Sequence, residues 1–147
     1  MLDQSMEQKS LAKQIYKTNL FLLKGLKENS ETSFRKGCFL IKKQKRQNPI
    51  VQIKQAIEII KPFCETKSIK LKNNITKVPI EITKKRQQLF ATRFFLSAVR
   101  EKRTNFLHEK LSNELISIIS LTSNSLKICE NFQKNVETNK VFIQYRF

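Results

Sequence analysis

The sequence predicts a mainly α-helical protein of about six helices, with one protruding basic β-hairpin between the third and fourth helices. The 147 residues include only two glycines and three prolines, which disfavours a fold with many tight turns. Apolar residues recur at helical spacing along most of the chain, whereas strict alternation is confined to about residues 64–83. The length suits one ordinary domain, so residues 1–147 are expected to form a single domain.

The chain before the alternating segment predicts three helices. Leucine and isoleucine residues recur at helical spacing up to Leu23, and a second helix begins where Ser30 can act as its cap. The second helix is expected to end near Gln47. Pro49 suits the first turn of a third helix, and Pro62 stops that helix.

The alternating segment predicts a β-hairpin. Its two runs are separated by Asn73-Asn74, and asparagine tolerates the positive φ that a two-residue hairpin turn requires. In this register Ile69 pairs with Val78, and the apolar side chains gather on one face of the hairpin.

The other face of the predicted hairpin is basic. It carries Lys70, Lys72 and Lys77, with Lys70 directly opposite Lys77. Like charges directly opposite one another destabilise a strand pair. A phosphate lying across them would turn this repulsion into attraction, whereas in water alone the lysines would merely splay apart.

A fourth helix is predicted from about Lys84 to Arg103. Arg86, Arg93 and Arg100 recur every seven residues, a repeat that drifts by only about 20° per step on a straight helix. They therefore form a stripe about 21 Å long at 1.5 Å per residue. Such a stripe is usually a solvated face, but no acidic residue is expected on this one, and the arginine fork suits phosphate.

Two further helices are predicted in the last third of the chain. Apolar residues from Leu107 to Ile119 make one helical face, and the polar residues that begin at Ser123 form a break and a cap. A final helix runs from Leu126 toward Tyr145.

Charge is the most informative feature of the composition. Lysine and arginine total 29 against 12 acidic residues, which gives a net charge of +17. A nucleic acid is the polyanion that most commonly offsets such an excess. No apolar run approaches the roughly 20 residues that span a bilayer, and no secretory signal is visible. Nucleic acid is therefore the expected partner, and a membrane is not.

The reactive side chains do not predict a catalytic or metal site. The three cysteines are far apart, without a CxxC pair, which favours reduced and buried thiols. His108 is the only histidine. A metal site or a Cys–His nucleophile is therefore not expected, and neither is a cofactor.

The order of the elements and several short motifs resemble bacterial-type small-subunit ribosomal protein seven. The resemblance covers about Pro49 to Phe147 well and the first two helices loosely. The matching motifs are Pro62, Glu65 and Lys67, Val78-Pro79-Ile80-Glu81-Ile82, Lys85-Arg86, Ala91 with Arg93, Arg100 with Arg103, Asn113-Glu114-Leu115, Asn139-Lys140 and Tyr145-Arg146-Phe147.

The resemblance implies a structural protein that binds the 3′ major domain of small-subunit ribosomal RNA and helps to assemble the head of the subunit. It places the hairpin near the exit-site tRNA and the mRNA, with the proteins numbered nine and eleven as neighbours. Phe63 or Tyr145 is expected to stack on a base. The full set of expected RNA contacts is Lys67, Lys70, Lys72, Lys77, Lys84, Lys85, Arg86, Arg93, Arg100, Lys102, Arg103, Tyr145 and Arg146.

Three departures from the family pattern bear on the source of the chain. Asn73-Asn74 replaces the glycine pair of the hairpin tip, the long basic N-terminal arm is missing, and relatives continue beyond Phe147. The short ends suggest an A·T-rich organellar genome, together with the three cysteines and a composition rich in lysine, isoleucine and asparagine. A mitochondrial ribosome is expected, with a plastid as the alternative, and the lack of a presequence agrees with synthesis inside the organelle.

Two other functions compete with this interpretation. A DNA-binding regulator would place one recognition helix beyond a short turn and leave its other helices near neutral, but here the basic residues spread over several elements. An RNA-processing enzyme would need clustered acids or a histidine beside a base, and the acids here are scattered.

Overall fold

The computed structural model describes residues 27–71 and 74–145, and the first predicted helix lies outside them. Within this part, five α-helices, one antiparallel hairpin and one 3-10 helix follow one another, which confirms the mainly helical prediction. Their bounds are α1 (Lys27–Lys45), α2 (Pro49–Ile60), β1 (Cys64–Leu71), β2 (Asn74–Glu81), α3 (Lys84–Glu101), α4 (Leu107–Ile119), α5 (Asn124–Thr138) and the 3-10 helix (Lys140–Tyr145).

Local capping residues determine where two of the helices begin. Pro49 stands in the first turn of α2, and the side chain of Asn48 accepts a hydrogen bond from the backbone N–H of Ile50 at 3.1 Å. Ser123 accepts one from the backbone N–H of Leu126 at 3.2 Å and begins α5. The start at Pro49 agrees with the sequence prediction, whereas α5 begins at Asn124, within the predicted break and before the expected Leu126.

Other predicted helix ends are wrong by a few residues. Ser30 lies inside α1, which already begins at Lys27, so it is not the cap. The fourth predicted helix stops at Glu101, two residues before Arg103. The last predicted helix is two separate helices in the structure: α5 ends at Thr138, and the 3-10 helix follows it.

The register of the hairpin differs from the predicted one by two residues. Ile69 pairs with Thr76, and Leu71 pairs with Asn74, so Asn74 belongs to β2 and not to the turn. The predicted pairing of Ile69 with Val78 is therefore wrong. Lys72 and Asn73, which join the strands, lie outside the described residues.

A shift by two residues changes the partners of the lysines but not the faces they occupy, since side chains alternate with a period of two. Lys70 lies opposite Ile75, and Lys77 lies opposite Ser68. The two lysines are therefore diagonal neighbours on one face, farther apart than directly opposed residues. The predicted direct opposition of Lys70 and Lys77 is wrong.

The core lies where the helices meet. Buried aliphatic and aromatic side chains of α1, α2, α3 and α4 make one cluster, and the rings of Phe90, Phe94 and Phe132 extend it toward α5 with centroid separations of 5.3–6.0 Å. Leu89, an apolar residue of α3, is 37% exposed and lies outside this cluster. The members with almost no exposure include Ile41, Ile53, Ala56, Ile57, Ile60, Phe95, Val99 and Ile118. None of the described helices is long and apolar enough to cross a membrane.

Candidate nucleic-acid interface

The hairpin presents its lysines to solvent. Lys67, Lys70 and Lys77 are all exposed. Lys70 and Lys77 share one face, whereas Lys67 pairs with Val78 and lies on the other. A ligand that lies along one face of the hairpin would therefore reach two of these three cations. Lys72, a fourth predicted contact, lies outside the described residues.

The first turn of α3 collects positive charge. Lys84, Lys85 and Arg86 occupy it, all three are exposed, and no acidic residue stands among them. Thr83, the residue before the helix, makes no side-chain capping hydrogen bond. Because the helix dipole is already positive at this end, cations here are unfavourable in water and favour an anion such as phosphate.

The predicted arginine stripe is present on α3. Arg93 and Arg100 are exposed, and neither has an acidic partner among the residues that the structure describes. Their neighbours Ala91, Phe94 and Val99 are buried, so the stripe lies on the side of α3 away from the core. At 1.5 Å per residue the stripe from Arg86 to Arg100 is about 21 Å long, enough to contact several phosphates of one strand.

Arg86 differs from the rest of the stripe, because an acid of the hairpin reaches it although no acid was predicted on this face of the helix. Its Nε lies 2.8 and 2.9 Å from the two carboxylate oxygens of Glu65 on β1. Its guanidinium carbon lies 5.3 Å from the centroid of the Phe90 ring. The side chain is still 55% exposed, so the hairpin and the ring hold the guanidinium while part of it faces outward.

Lys102 and Arg103, adjacent in the sequence, have different environments. The Nζ of Lys102 lies 2.9 Å from Oε2 of Glu114, a carboxylate with no exposed surface, and the Lys102 side chain is only 25% exposed. Arg103 is exposed. Among the described contacts, Lys102 thus has a structural partner, and Arg103 is the better placed of the two to contact a ligand.

The aromatic residues expected to stack differ in their accessibility. Phe63, just before β1, is 74% exposed. Tyr145 is half-buried, and its ring lies 6.5 Å from that of Phe142. Arg146 lies outside the described residues. Phe63 is therefore the more accessible of the two expected stacking residues.

All three cysteines carry free thiols, but the prediction that they are buried holds only for Cys129, because Cys38 and Cys64 are half-buried. Burial raises the pKa of the Cys38 thiol to about 11, and burial and then the charge of Glu130 raise the pKa of the Cys129 thiol. Both thiols therefore stay protonated near neutral pH, where they are poor nucleophiles. Between residues 27 and 145, apart from residues 72–73, no three His, Cys, Asp or Glu side chains are placed to hold a metal ion.

The sequence reasoning missed both acids that contact the predicted cations. Glu65 is 21 residues from Arg86 and Glu114 is 12 from Lys102, so helical or strand spacing does not predict either pair. For Glu65 the available signal was topological. The base of the hairpin and the first turn of the next helix must be neighbours because only Ile82 and Thr83 join them.

Comparison with known proteins identifies a family that fits this arrangement. The family model described as ribosomal protein S7p/S5e matches residues 2–140. The chain is 32% identical to small ribosomal subunit protein uS7 of Syntrophus aciditrophicus over 127 residues, which cover 86% of this chain and 81% of the relative. The identity is 29% to the protein of the same name from Natranaerobius thermophilus, covering 88% and 83%. It is 30% to that of Thermotoga neapolitana, covering 76% and 72%.

Proposed function

Because the chain belongs to the ribosomal protein S7p/S5e family, we propose that it is a structural constituent of the small ribosomal subunit and binds ribosomal RNA. The observation that carries this proposal is the family match over residues 2–140, together with the names of the bacterial relatives. Those relatives are ribosomal proteins by name, and an enzymatic role has no support from them.

The exposed cations explain how the chain would bind RNA. The hairpin lysines, the first turn of α3, the arginine stripe and Arg103 would contact phosphates and 2′-hydroxyls of folded RNA. An RNA duplex hides its base edges in a deep, narrow groove, so a surface of this kind recognises the shape of the RNA and not its sequence. The free energy of binding would stabilise one RNA fold, and no bond would be made or broken.

The finer assignments rest on the resemblance. The chain would bind the 3′ major domain and help to assemble the head of the subunit, with the hairpin near the exit-site tRNA and the mRNA. The proteins numbered nine and eleven would be its neighbours. The exposed Lys70 and Lys77 support a role for the hairpin beside nucleic acid.

The location that we propose is a mitochondrial ribosome, with a plastid ribosome as the alternative. The support is compositional, since the sequence is rich in lysine, isoleucine and asparagine, as expected from an A·T-rich organellar genome. Detection of the chain in ribosomes from purified mitochondria would test this. Its recovery only from cytosolic or plastid ribosomes would contradict the mitochondrial location.

The binding proposal is tested with the purified chain and a transcript of the 3′ major domain, across a salt series, beside duplex DNA of equal length. We expect tighter binding to the transcript, with a steep loss of affinity as salt rises. Substituting Arg93 and Arg100 by alanine should lower the salt slope by about one unit for each phosphate that the variant can no longer bind.

The matched control is Lys61→Met, because Lys61 is already paired with Glu58 at 2.5 Å. Like each arginine substitution, this variant removes one positive charge, but it should leave the salt slope near that of the wild type. Equal affinity for the two polymers would contradict the ribosomal proposal and favour the DNA-binding alternative.

A further inference from the structure

An aromatic cleft lies between α1 and the start of α4, outside the residues assigned above to RNA binding. It is lined by Phe39 and Leu40 of α1 and by His108 of α4, with Arg35 and Lys36 at its edge. The ring of Phe106 lies 5.5 Å from that of His108 and so adjoins the cleft through this residue. We propose that this aromatic cleft binds an unpaired RNA base by stacking, an inference that rests on the proposed function.

The two sides of the cleft are brought together by a glycine. A Cβ added at Gly37 would lie 3.3 Å from the backbone carbonyl oxygen of His108 and 3.8 Å from Cβ of Leu111. The missing side chain therefore lets α1 approach the first turn of α4 closely, and Phe39 is two residues along the same helix. The cleft is thus formed by packed helices and not by a loop alone, which limits the cost of ordering it when a ligand binds.

The rings of this cleft are exposed to an extent that the core does not require. Phe39 is 68% exposed and Phe106 is 59% exposed, whereas Phe94 and Phe95 of α3 are buried. Phe106 stands just before α4 and accepts the hydrogen bond of the Lys110 backbone N–H through its own backbone carbonyl, so the start of the helix does not require an aromatic side chain there. Two large rings held in water beside an imidazole are a surface on which a planar ligand can stack.

The charge around the rings favours a nucleotide over an apolar protein segment. Lys36 and Lys43 are exposed, and they stand three residues before and four residues after Phe39, so they flank it on one helix face. Arg103 is exposed in the segment that leads to Phe106. A nucleotide offers both a base for the rings and a phosphate for these cations, whereas an apolar protein surface would satisfy the rings alone.

The acids near the cleft do not cancel this charge. Glu31 is paired with Arg35 at 2.6 Å. Glu109, in the first turn of α4, is half-buried. The exposed cations around the cleft therefore outnumber the acids, and an anionic ligand fits the surface better than a neutral or basic protein segment does.

A single introduced tryptophan tests the stacking directly, because the chain contains none. We expect the fluorescence of Phe106→Trp to be strongly quenched when the transcript of the 3′ major domain is added, as stacking on a base quenches indole. Ile59→Trp is the matched control, because Ile59 is 40% exposed on α2 and outside the cleft. Its fluorescence should change little.

Affinity measurements separate stacking from other apolar contacts. Phe106→Ala should weaken binding to the transcript by roughly 5- to 150-fold at fixed salt, with an unchanged salt slope because every ionic contact is kept. Phe106→Leu should lose affinity in the same way, since it keeps apolar surface and removes the ring, whereas Phe106→Trp should bind as the wild type does.

Two results would overturn the inference. One is that Phe106→Leu or Phe106→Ala binds the transcript as tightly as the wild type does. The other is that the fluorescence of Phe106→Trp is not quenched when the transcript is bound. Either result would indicate that the cleft contacts an apolar protein neighbour and not an RNA base. In both cases the wild-type chain would still bind the transcript, so the proposed function would stand. Failure of the wild-type chain to prefer the transcript would overturn the proposed function itself.

Discussion

Breaking the ion pair between Glu114 and Lys102 should destabilise the fold more than removing any exposed charge. Glu114 has no exposed surface, and its Oε1 accepts hydrogen bonds from the Ser125 hydroxyl at 2.5 Å and from the Ser125 backbone N–H at 3.2 Å. Its Oε2 lies 2.9 Å from Lys102 Nζ. One carboxylate therefore joins the segment after α3, the helix α4 and the first turn of α5.

The expected magnitude follows from the groups that are left without partners. Glu114→Ala leaves the buried hydroxyl and N–H of Ser125 without an acceptor, at about 1–3 kcal/mol each, and leaves Lys102 unpaired. Because Lys102 is 25% exposed, it can turn toward water, so the total should be about 3–5 kcal/mol. Lys102→Met leaves a buried charge whose other oxygen is still bonded to Ser125, and it should cost less, about 2–3 kcal/mol.

Denaturation with urea, followed by the helical circular dichroism signal, measures these free energies of unfolding. In a double-mutant cycle of Glu114→Gln and Lys102→Met, we expect the double variant to be more stable than the sum of the single effects predicts, by about 1–3 kcal/mol. This prediction would be refuted if the two effects added to within about 0.5 kcal/mol, as independent sites do, and if each single variant lost less than about 0.5 kcal/mol, as exposed sites do.

Three further results are expected. In the RNA salt series, Arg93→Ala should lower the slope by about one unit and Arg86→Ala by less, because a neighbouring carboxylate already offsets part of the Arg86 charge; equal changes would contradict this. Gly37→Ala should gain less than the about 1 kcal/mol that alanine usually adds in a helix, because its Cβ would lie 3.3 Å from the His108 carbonyl oxygen; urea denaturation would reveal a full gain. Alkylation of Cys38 by iodoacetamide in the folded chain should stay slow at pH 8 and accelerate toward pH 11, since burial raises its pKa; mass spectrometry after timed quenching measures the rate, and fast labelling at pH 8 would contradict burial.

The same raised pKa has a consequence for stability. Between pH 9 and about 11 the Cys38 thiol of the unfolded chain ionises while that of the folded chain stays protonated. Its contribution to the free energy of unfolding is therefore fully present below pH 9 and is lost as the pH rises toward 11.

Local signals explain what the sequence could predict. A proline at a first helical turn and a serine before an apolar run act through contacts within three residues, so α2 begins where Pro49 predicted and α5 begins within the break that Ser123 opens. The alternation that predicted the hairpin is equally local. Although the predicted register was wrong, the predicted face of Lys70 and Lys77 was correct, because a shift by two residues preserves the alternation of side chains.

Contacts between distant segments explain what the sequence could not predict. The turn of the hairpin depends on which of several similar pairings packs best, and Asn73-Asn74 suited a turn one residue later than the strands allow. The division between α5 and the 3-10 helix was also missed, because no proline or glycine marks Asn139. The partners of Arg86 and Lys102 belong to elements whose relative placement the spacing of charges does not specify.

The distribution of acids connects the fold to its function. With 29 basic and 12 acidic residues, most cations must lack an acidic partner in any fold of this chain, so an unpaired lysine alone indicates little. What is informative is where the acids lie: Glu58, Glu65 and Glu114 each join a cation that is partly covered by the protein or held at the junction of two elements. These three acids thereby stabilise the protein's own structure. Other exposed cations form no ion pair among the described residues and leave positive charge on the outside, namely Arg93, Arg100, Lys67, Lys70 and Lys77. A surface of this kind repels itself in the free chain and is stabilised by a polyanion that covers it, so folding and RNA binding should favour one another.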